Sequence, residues 1–324
     1  MKHWSGYGSI GLAAVVFAAL PLASDSNIVL NAMVTALIIA LAAQGWNVLG
    51  GYGGQLSFGH AAFFGTGAYA DAILQASCGV NAYAALAIAT AVGGLVGLAI
   101  GFLSFRAGLR GSYFTLVTLA FAEVFRIVAN AAPVTGAASG TLIKLDVRAS
   151  NFQFASRAIY FWIILALVAA TMLLVRGIER RRFGAYLIAV RENEDAAKAL
   201  GVDTLRVKLQ AITLSAAMTA LAGGFYAQYY LFVDSTIAYG SWISVEALLA
   251  TIIGGIGTVF GPVFGALALY FLGEFAKYIT GRVPGIDLAF YGTLLILVVA
   301  FARDGVQGLL SKAARALARA RKPA

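Results

Sequence analysis

The chain has few of the residues on which enzymes build active sites: one cysteine, two histidines and only 11% charged side chains in 324 residues. Cys78 has no second cysteine to pair with, so an internal disulfide and a cysteine-based metal cluster are both excluded. His3 and His60 do not form a His-Glu-x-x-His zinc motif, and no acid beside His60 in sequence orients it for a serine–histidine pair. No Gly-x-x-x-x-Gly-Lys-Ser/Thr loop occurs, and the glycine-rich run Gly50-Gly51-Tyr52-Gly53-Gly54 has no lysine to reach a phosphate. The expectation is therefore no catalytic residue, no metal and no cofactor bound by this chain. If ATP drives it, the ATPase is another polypeptide.

The scarcity of charge also excludes an ordinary water-soluble domain, in which about a quarter of the residues are charged. What is present instead is apolar: 61% of residues are hydrophobic and the mean hydropathy is +0.86. The 37 glycines follow no three-residue period, which excludes a collagen-like chain, and they suit helices packed closely in lipid. The net charge of +9 does not point to nucleic acid. The basic residues concentrate at Arg176–Lys208 and Arg303–Lys322, beside apolar runs, as cytoplasmic loops do under the positive-inside rule.

Nine apolar runs approach the roughly 20 residues that a spanning helix needs: Gly8–Ala23, Ile28–Leu49, Leu56–Gln75, Ala82–Phe105, Ser112–Asn130, Ile159–Val175, Leu209–Tyr230, Pro262–Ala276 and Leu288–Phe301. Gly8–Ala23 follows Lys2 and also has some secretory-signal character at Pro21-Leu22-Ala23-Ser24; an uncleaved first span fits the many spans after it better. Lys2, then Arg106 and Arg110, then Arg176–Lys208 fall on one side of the membrane, the cytoplasmic one. Nine crossings would put the basic tail on the other side. The conflict disappears if Ile243–Gly257, short and broken by Gly254, Gly255 and Gly257, is also a crossing. The expected fold is an all-α polytopic inner-membrane protein with about ten transmembrane helices, one of them short and glycine-broken, and both termini cytoplasmic. Residues 1–302 form one transmembrane domain with a cytoplasmic loop at 176–208, and 303–324 form a basic tail.

Two stretches carry polar groups where few are expected. Gln55, Ser57, Gly59 and His60 open an apolar run among six glycines between Gly50 and Gly65, and they are expected to line a solute path or to bond helices together. Ala185–Leu200 reads as a helix stopped by Gly201, with Asp203 capping the next helix. Arg191 with Asp195, and Glu194 with Lys198, are spaced to meet on its surface, and Leu187, Val190, Ala197 and Leu200 form an apolar stripe. Glu123 and Arg126 share a helix face as a pair expected to be buried; Glu246 and Glu274 are the other acids assigned to apolar runs. Glu246 has no basic neighbour in sequence and is a candidate partner for a substrate ammonium group. Gly93, Gly97 and Gly101, and likewise Gly257, Gly261 and Gly265, form small-residue ridges for helix contact.

Four stretches together resemble the permease subunits of bacterial branched-chain amino-acid ABC importers, specifically the M-type partner of the two-permease pair. They are Gly50–Tyr69 with its Gly-Gln-Leu-Ser-Phe-Gly-His core, Gly108–Glu123, Phe183–Gly201, and Gly254–Pro262. The resemblance implies an ABC importer permease bundle. It also implies an H-type second permease subunit, two cytoplasmic ATPase subunits that use the ATP, and a periplasmic solute-binding protein. It makes the 183–201 segment the coupling helix, a role carried here onto Phe183, Gly184, Arg191, Glu192, Glu194, Asp195, Ala197 and Gly201. Two departures stand out: Thr135-Gly136-Ala137-Ala138-Ser139-Gly140 replaces a Thr-Gly-Gly-x-x-Gly pattern, and Arg181-Arg182 replaces Ser-Pro. Importers of urea or short amides share much of the pattern, and an ion-coupled secondary transporter using Glu246 is the rival of another class.

Overall fold

The computed structural model describes residues 7–23 and 26–279, together with positions 286, 289, 292, 293 and 296. The expected last span, Leu288–Phe301, and the 303–324 tail lie outside the continuously described residues.

The apolar runs become helices because a backbone in lipid has no water to satisfy its N–H and C=O groups. The long elements are α1 (Tyr7–Ala18), α3 (Asn27–Trp46), α4 (His60–Ala76), α5 (Ala82–Arg106), α6 (Gly111–Ala131), α7 (Arg157–Arg180), α10 (Thr204–Tyr230), α12 (Ser241–Gly254) and α13 (Gly261–Ile279). Short helices α2 (Leu20–Ala23), α8 (Arg182–Glu192), α9 (Glu194–Ala199) and α11 (Ser235–Ala238) lie in the connections. One antiparallel pair, β1 (Thr141–Leu142) with β2 (Phe232–Val233), ties the α6–α7 connection to the end of α10. Among the described residues, six helical segments are long and apolar enough to cross a membrane. The chain is an all-α, multi-pass membrane protein.

Side-chain contacts sort the helix ends into two groups. At one end the Arg180 guanidinium lies 4.6 Å from the Tyr7 ring centroid, Tyr52 donates to Glu179 at 2.7 Å, and Arg110 reaches Asp195 at 3.1 Å. At the other, Arg157 donates to the Asn27 carbonyl, Trp162 to that of Ala18, Asn81 to that of Ser150, and Ser235 bonds Asn130. The long helices alternate between these ends in chain order. We call the first the charged end and the second the far end; Cys78 is exposed in the α4–α5 turn at the far end.

The core is built on α10, which packs against α3, α4 and α5. The ridge Gly93, Gly97 and Gly101 of α5 lies on Ala220, Ala216 and Ile212 of α10, as its four-residue spacing predicts. Backbones also approach closely between α4 and α10, where a Cβ at Gly223 would overlap the Phe64 carbonyl and one at Gly67 would overlap that of Ala220. Apolar side chains left outside, such as Val15, Leu95, Leu103 and Leu116, are exposed on the bundle surface and suit contact with lipid tails.

Four sequence expectations change. The second run does not stop at Leu49: α3 continues into a π-helical turn, Asn47–Tyr52. The third helix begins at His60 rather than Leu56, because Gly54 turns the chain at φ +67° and residues 53–59 run irregularly into the bundle. The helix expected over 185–200 is two helices, broken at Asn193, whose side chain leaves the helical path to cap Ala196. Gly254, Gly255 and Gly257 end α12 instead of interrupting it, with Gly255 at φ +127° and Gly257 at φ +67°.

Candidate coupling surface and substrate path

At the charged end, α8 and α9 are clamped onto the bundle. The break at Asn193 separates Arg191 from Asp195, so that expected i,i+4 pair does not form; Glu194 and Lys198 share α9 but do not pair either. Glu194 turns inward instead and accepts from Lys208 of α10 at 2.7 Å, with side-chain exposures of only 13% and 6%. The Lys208 ammonium also sits 4.9 Å from the Phe105 ring centroid. A half-removed charge pair of this kind holds position because an unpaired member would be left buried. Arg110, at the start of α6, reaches both Glu194 (3.4 Å) and Asp195 (3.1 Å). Its hydrogen bond holds the exposed Asp195 carboxyl below the usual carboxylate range. Gly201 ends the second helix at φ +85°, and Asp203 caps α10 by accepting from Arg206, both as expected.

The apolar stripe of this loop divides. Leu187, Val190 and Ala197 are buried against the bundle, whereas Leu200 is 85% exposed and Tyr186 and Ile188 are also exposed. Phe183 packs at the core margin, and a Cβ at Gly184 would overlap the Ile178 carbonyl, so that position holds α8 against the end of α7. Glu192 and Asp195 point outward, at 66% and 75% side-chain exposure. Arg191 faces both ways: its side chain is 37% exposed and donates to Glu192 at 2.7 Å, while Nη1 donates to the Gly51 carbonyl at 3.0 Å.

The glycine-rich stretch between the π-helical turn and α4 is a packed polar layer. Trp46 donates through Nε1 to the Ser57 carbonyl at 2.9 Å, the Ser57 hydroxyl accepts from Gly59 N–H, and the His60 imidazole bonds Ser215 of α10 at 2.9 Å. Thr118 of α6 accepts from Phe58 N–H, and a Cβ at Gly59 would fall 2.7 Å from the Thr118 carbonyl oxygen. Ser57, Gly59 and His60 are fully buried, and only Gln55 retains partial exposure. Ser57 and His60 bond neighbouring helices together here, whereas the Gln55 amide donates locally to the Gly53 carbonyl.

The other path candidates are not brought to that layer. Glu123 accepts from Arg126 at 2.9 Å on α6, as the spacing predicts, but the pair is not buried: the side chains are 50% and 35% exposed. Glu246 lies elsewhere, in a cavity of about 270 Å³ between α3, α10, α12 and α13, lined also by Tyr226, Trp242, Tyr270 and Lys277. Lys277, on the cavity wall, pairs with Glu274 at 2.8 Å rather than with Glu246.

Sequence reading missed three features. Asp71 is a further acid within an apolar run, fully buried and bonded to Gln228 (2.8 Å) and Gln75 (2.9 Å); the signal was a lone acid among alanines. The Asn193 cap was signalled by Asn before Glu-Asp, a helix-start pattern. Lys208 gave no signal, because its partner lies 14 residues away in another helix.

Comparisons with known proteins agree with this architecture. The family model described as branched-chain amino acid transport system / permease component matches residues 28–299. The high-affinity branched-chain amino acid transport system permease protein LivM of Salmonella typhimurium is 30% identical over 257 residues, covering 72% of this chain and 60% of that protein. LivM of Escherichia coli K12 is 31% identical over the same shares, so the chain spans about 60% of the length of these LivM relatives. The fructose import permease protein FrcC of Rhizobium meliloti is 30% identical over 158 residues, 46% of this chain and 42% of that one. No solved structure matches. A family match over most of the chain, on a helical bundle with six spanning-length apolar helices among the described residues, places the protein in the branched-chain amino acid transport permease family.

Proposed function

We propose that this chain is the translocating subunit of an ATP-driven importer for branched-chain or related hydrophobic amino acids. It has about ten crossings and both termini in the cytoplasm, and lies in a bacterial inner membrane. It works beside a second permease subunit, two cytoplasmic ATPase subunits and a periplasmic binding protein, and provides the path by alternating access. The reading of residues 1–302 as one permease domain followed by a basic tail belongs to the same proposal.

The observation that carries it is the α8–α9 loop. It presents Tyr186, Ile188 and Leu200 outward while Glu194 is gripped from behind by Lys208 and Arg110. A loop built to display apolar side chains and anchored by buried charge suits receiving force from a docked partner. Substrate contact is assigned to the half-exposed Glu123, which also lies on the open face of α6 beside the second permease subunit, and to Gln55, with Glu246 in its cavity as the partner for an ammonium group; Ser57, Gly59 and His60 shape the path from behind.

Reconstitution of the purified chain in liposomes, with and without the ATPase and second permease subunits, tests this. Uptake of labelled leucine is expected only with the full set and ATP. Uptake by this chain alone under an ion gradient would replace the reading with a secondary transporter, and uptake of urea in preference to leucine would change the substrate.

A further inference from the structure

The charged end contains a linkage that docking alone does not require. Arg191, the penultimate residue of α8, is 37% exposed and pairs with Glu192 at the loop surface, yet it also reaches into the end of the bundle. Its Nη1 donates to the Gly51 carbonyl at 3.0 Å. That carbonyl belongs to the π-helical turn at the end of α3, whose register differs from that of an ordinary helix. The Arg191 stem lies on Gly54: a Cβ there would fall 2.5 Å from the Arg191 Cγ, and the φ of +67° already disfavours any side chain. From the other side Gly257, in the turn between α12 and α13, stands so close that a Cβ would be 3.4 Å from the Arg191 Nη1.

The same π turn holds the α12–α13 turn directly. Asn47 accepts from Gly257 N–H and donates to the Thr258 carbonyl, each at 2.9 Å, and Gln44 donates to the Val259 carbonyl at 2.7 Å. Arg191 thus ties α8 to the end of α3, and Asn47 and Gln44 tie the end of α3 to the α12–α13 turn that stands beside the guanidinium.

We propose that Arg191 is a positioning residue that transmits movement of the α8–α9 loop to α3 and to the α12–α13 turn, rather than a contact for the docked ATPase. This rests on the importer reading above. A displacement of α8 pulls on Gly51 through a charge-assisted hydrogen bond, and Asn47 carries it to Gly257 and Thr258. The bare backbone at Gly54 lets the Arg191 stem lie against it, and the bare backbone at Gly51 leaves room for Asn47 and Gly257.

The test uses the complete importer, with its second permease, ATPase subunits and binding protein, in proteoliposomes. Arg191→Gln is expected to keep the ATPase subunits bound through purification and to keep their basal hydrolysis, while leucine transported per ATP hydrolysed falls at least tenfold. Arg191→Lys, which still donates to the Gly51 carbonyl, is expected to recover part of the loss. Asn47→Asp keeps the acceptor for Gly257 N–H and loses the donor to Thr258, so it is expected to uncouple in the same way with Arg191 intact. This second variant also decides the matter if Arg191→Gln is poorly made. Unchanged transport per ATP in Asn47→Asp and in any Arg191→Gln obtained would overturn the linkage. Loss of the ATPase subunits from Arg191→Gln would make Arg191 a docking contact and overturn the inference while leaving the importer reading intact. Failure of the unsubstituted chain to retain ATPase subunits would instead overturn the importer reading.

Discussion

Helices α6 and α10 are both apolar enough to cross a membrane, yet they are used in opposite ways. In the most apolar 18-residue stretch of α10, 61% of residues are buried within the chain; for α6 the share is 22%. The hub helix α10 carries small residues toward its neighbours (Ala216, Ala220, Gly223) and places Lys208 and Ser215 against specific partners. α6 touches the bundle through Phe114, Thr118, Ala122 and Ala129 and leaves the rest of its surface open, including the ion pair Glu123–Arg126. Charges at that depth are costly against lipid tails. The contrast separates a helix whose sequence is set by the fold from one whose open face is set by what lies beside it.

The sharpest way to break the contrast is at the α4–α10 crossing. Gly223→Leu forces a side chain into the Phe64 backbone, which cannot yield as a flexible side chain would, and folded protein in the membrane is expected to be lost. Gel filtration in mild detergent reads this directly. Lys208→Met leaves the largely covered Glu194 with Arg110 and the Thr204 hydroxyl as its remaining partners. It is expected to cost about 2–3 kcal/mol, below the ~3–5 kcal/mol of a pair broken outright, and a thermal-unfolding shift measures it.

Glu123→Gln on α6, by comparison, is expected to leave the thermal midpoint of the isolated chain unchanged while weakening retention of the second permease subunit, read by co-purification. A large stability loss would place α6 with α10 after all. The smallest effect belongs to Asp195. Arg110 lowers its folded pKa, so its contribution is present above the ordinary carboxylate range and disappears as pH falls through that lowered value. Protease sensitivity of the α8–α9 loop is therefore expected to stay flat from neutral to mildly acidic pH and to rise only in stronger acid. A rise near neutral pH would contradict the pairing.

The long helices among the described residues and their alternation were legible because lipid forces long apolar runs into helices, and the glycine ridge of α5 because its four-residue period exposes one face. Local chemistry was legible too: Gly201 and Asp203 act at the positions where they stand. What escaped was set by residues distant in sequence. Lys208 draws Glu194 inward, Arg110 takes Asp195, and Ser215 takes His60, so side chains that could have faced a partner or a solute face the bundle. Exposure was misjudged in the converse way at Glu123–Arg126, because pairing is a property of one helix whereas burial depends on its neighbours.

The account depends on the α8–α9 loop lying in the cytoplasm, at the opposite end from the α4–α5 turn. Cysteine labelling of spheroplasts with a membrane-impermeant maleimide measures this most directly, because Cys78 is the single native cysteine and is exposed at the far end. The prediction is that Cys78 labels from outside, whereas Leu200→Cys in a Cys78→Ser background labels only after the membrane is opened. Labelling of position 200 in sealed spheroplasts would put the loop beyond the reach of any cytoplasmic ATPase and contradict the account.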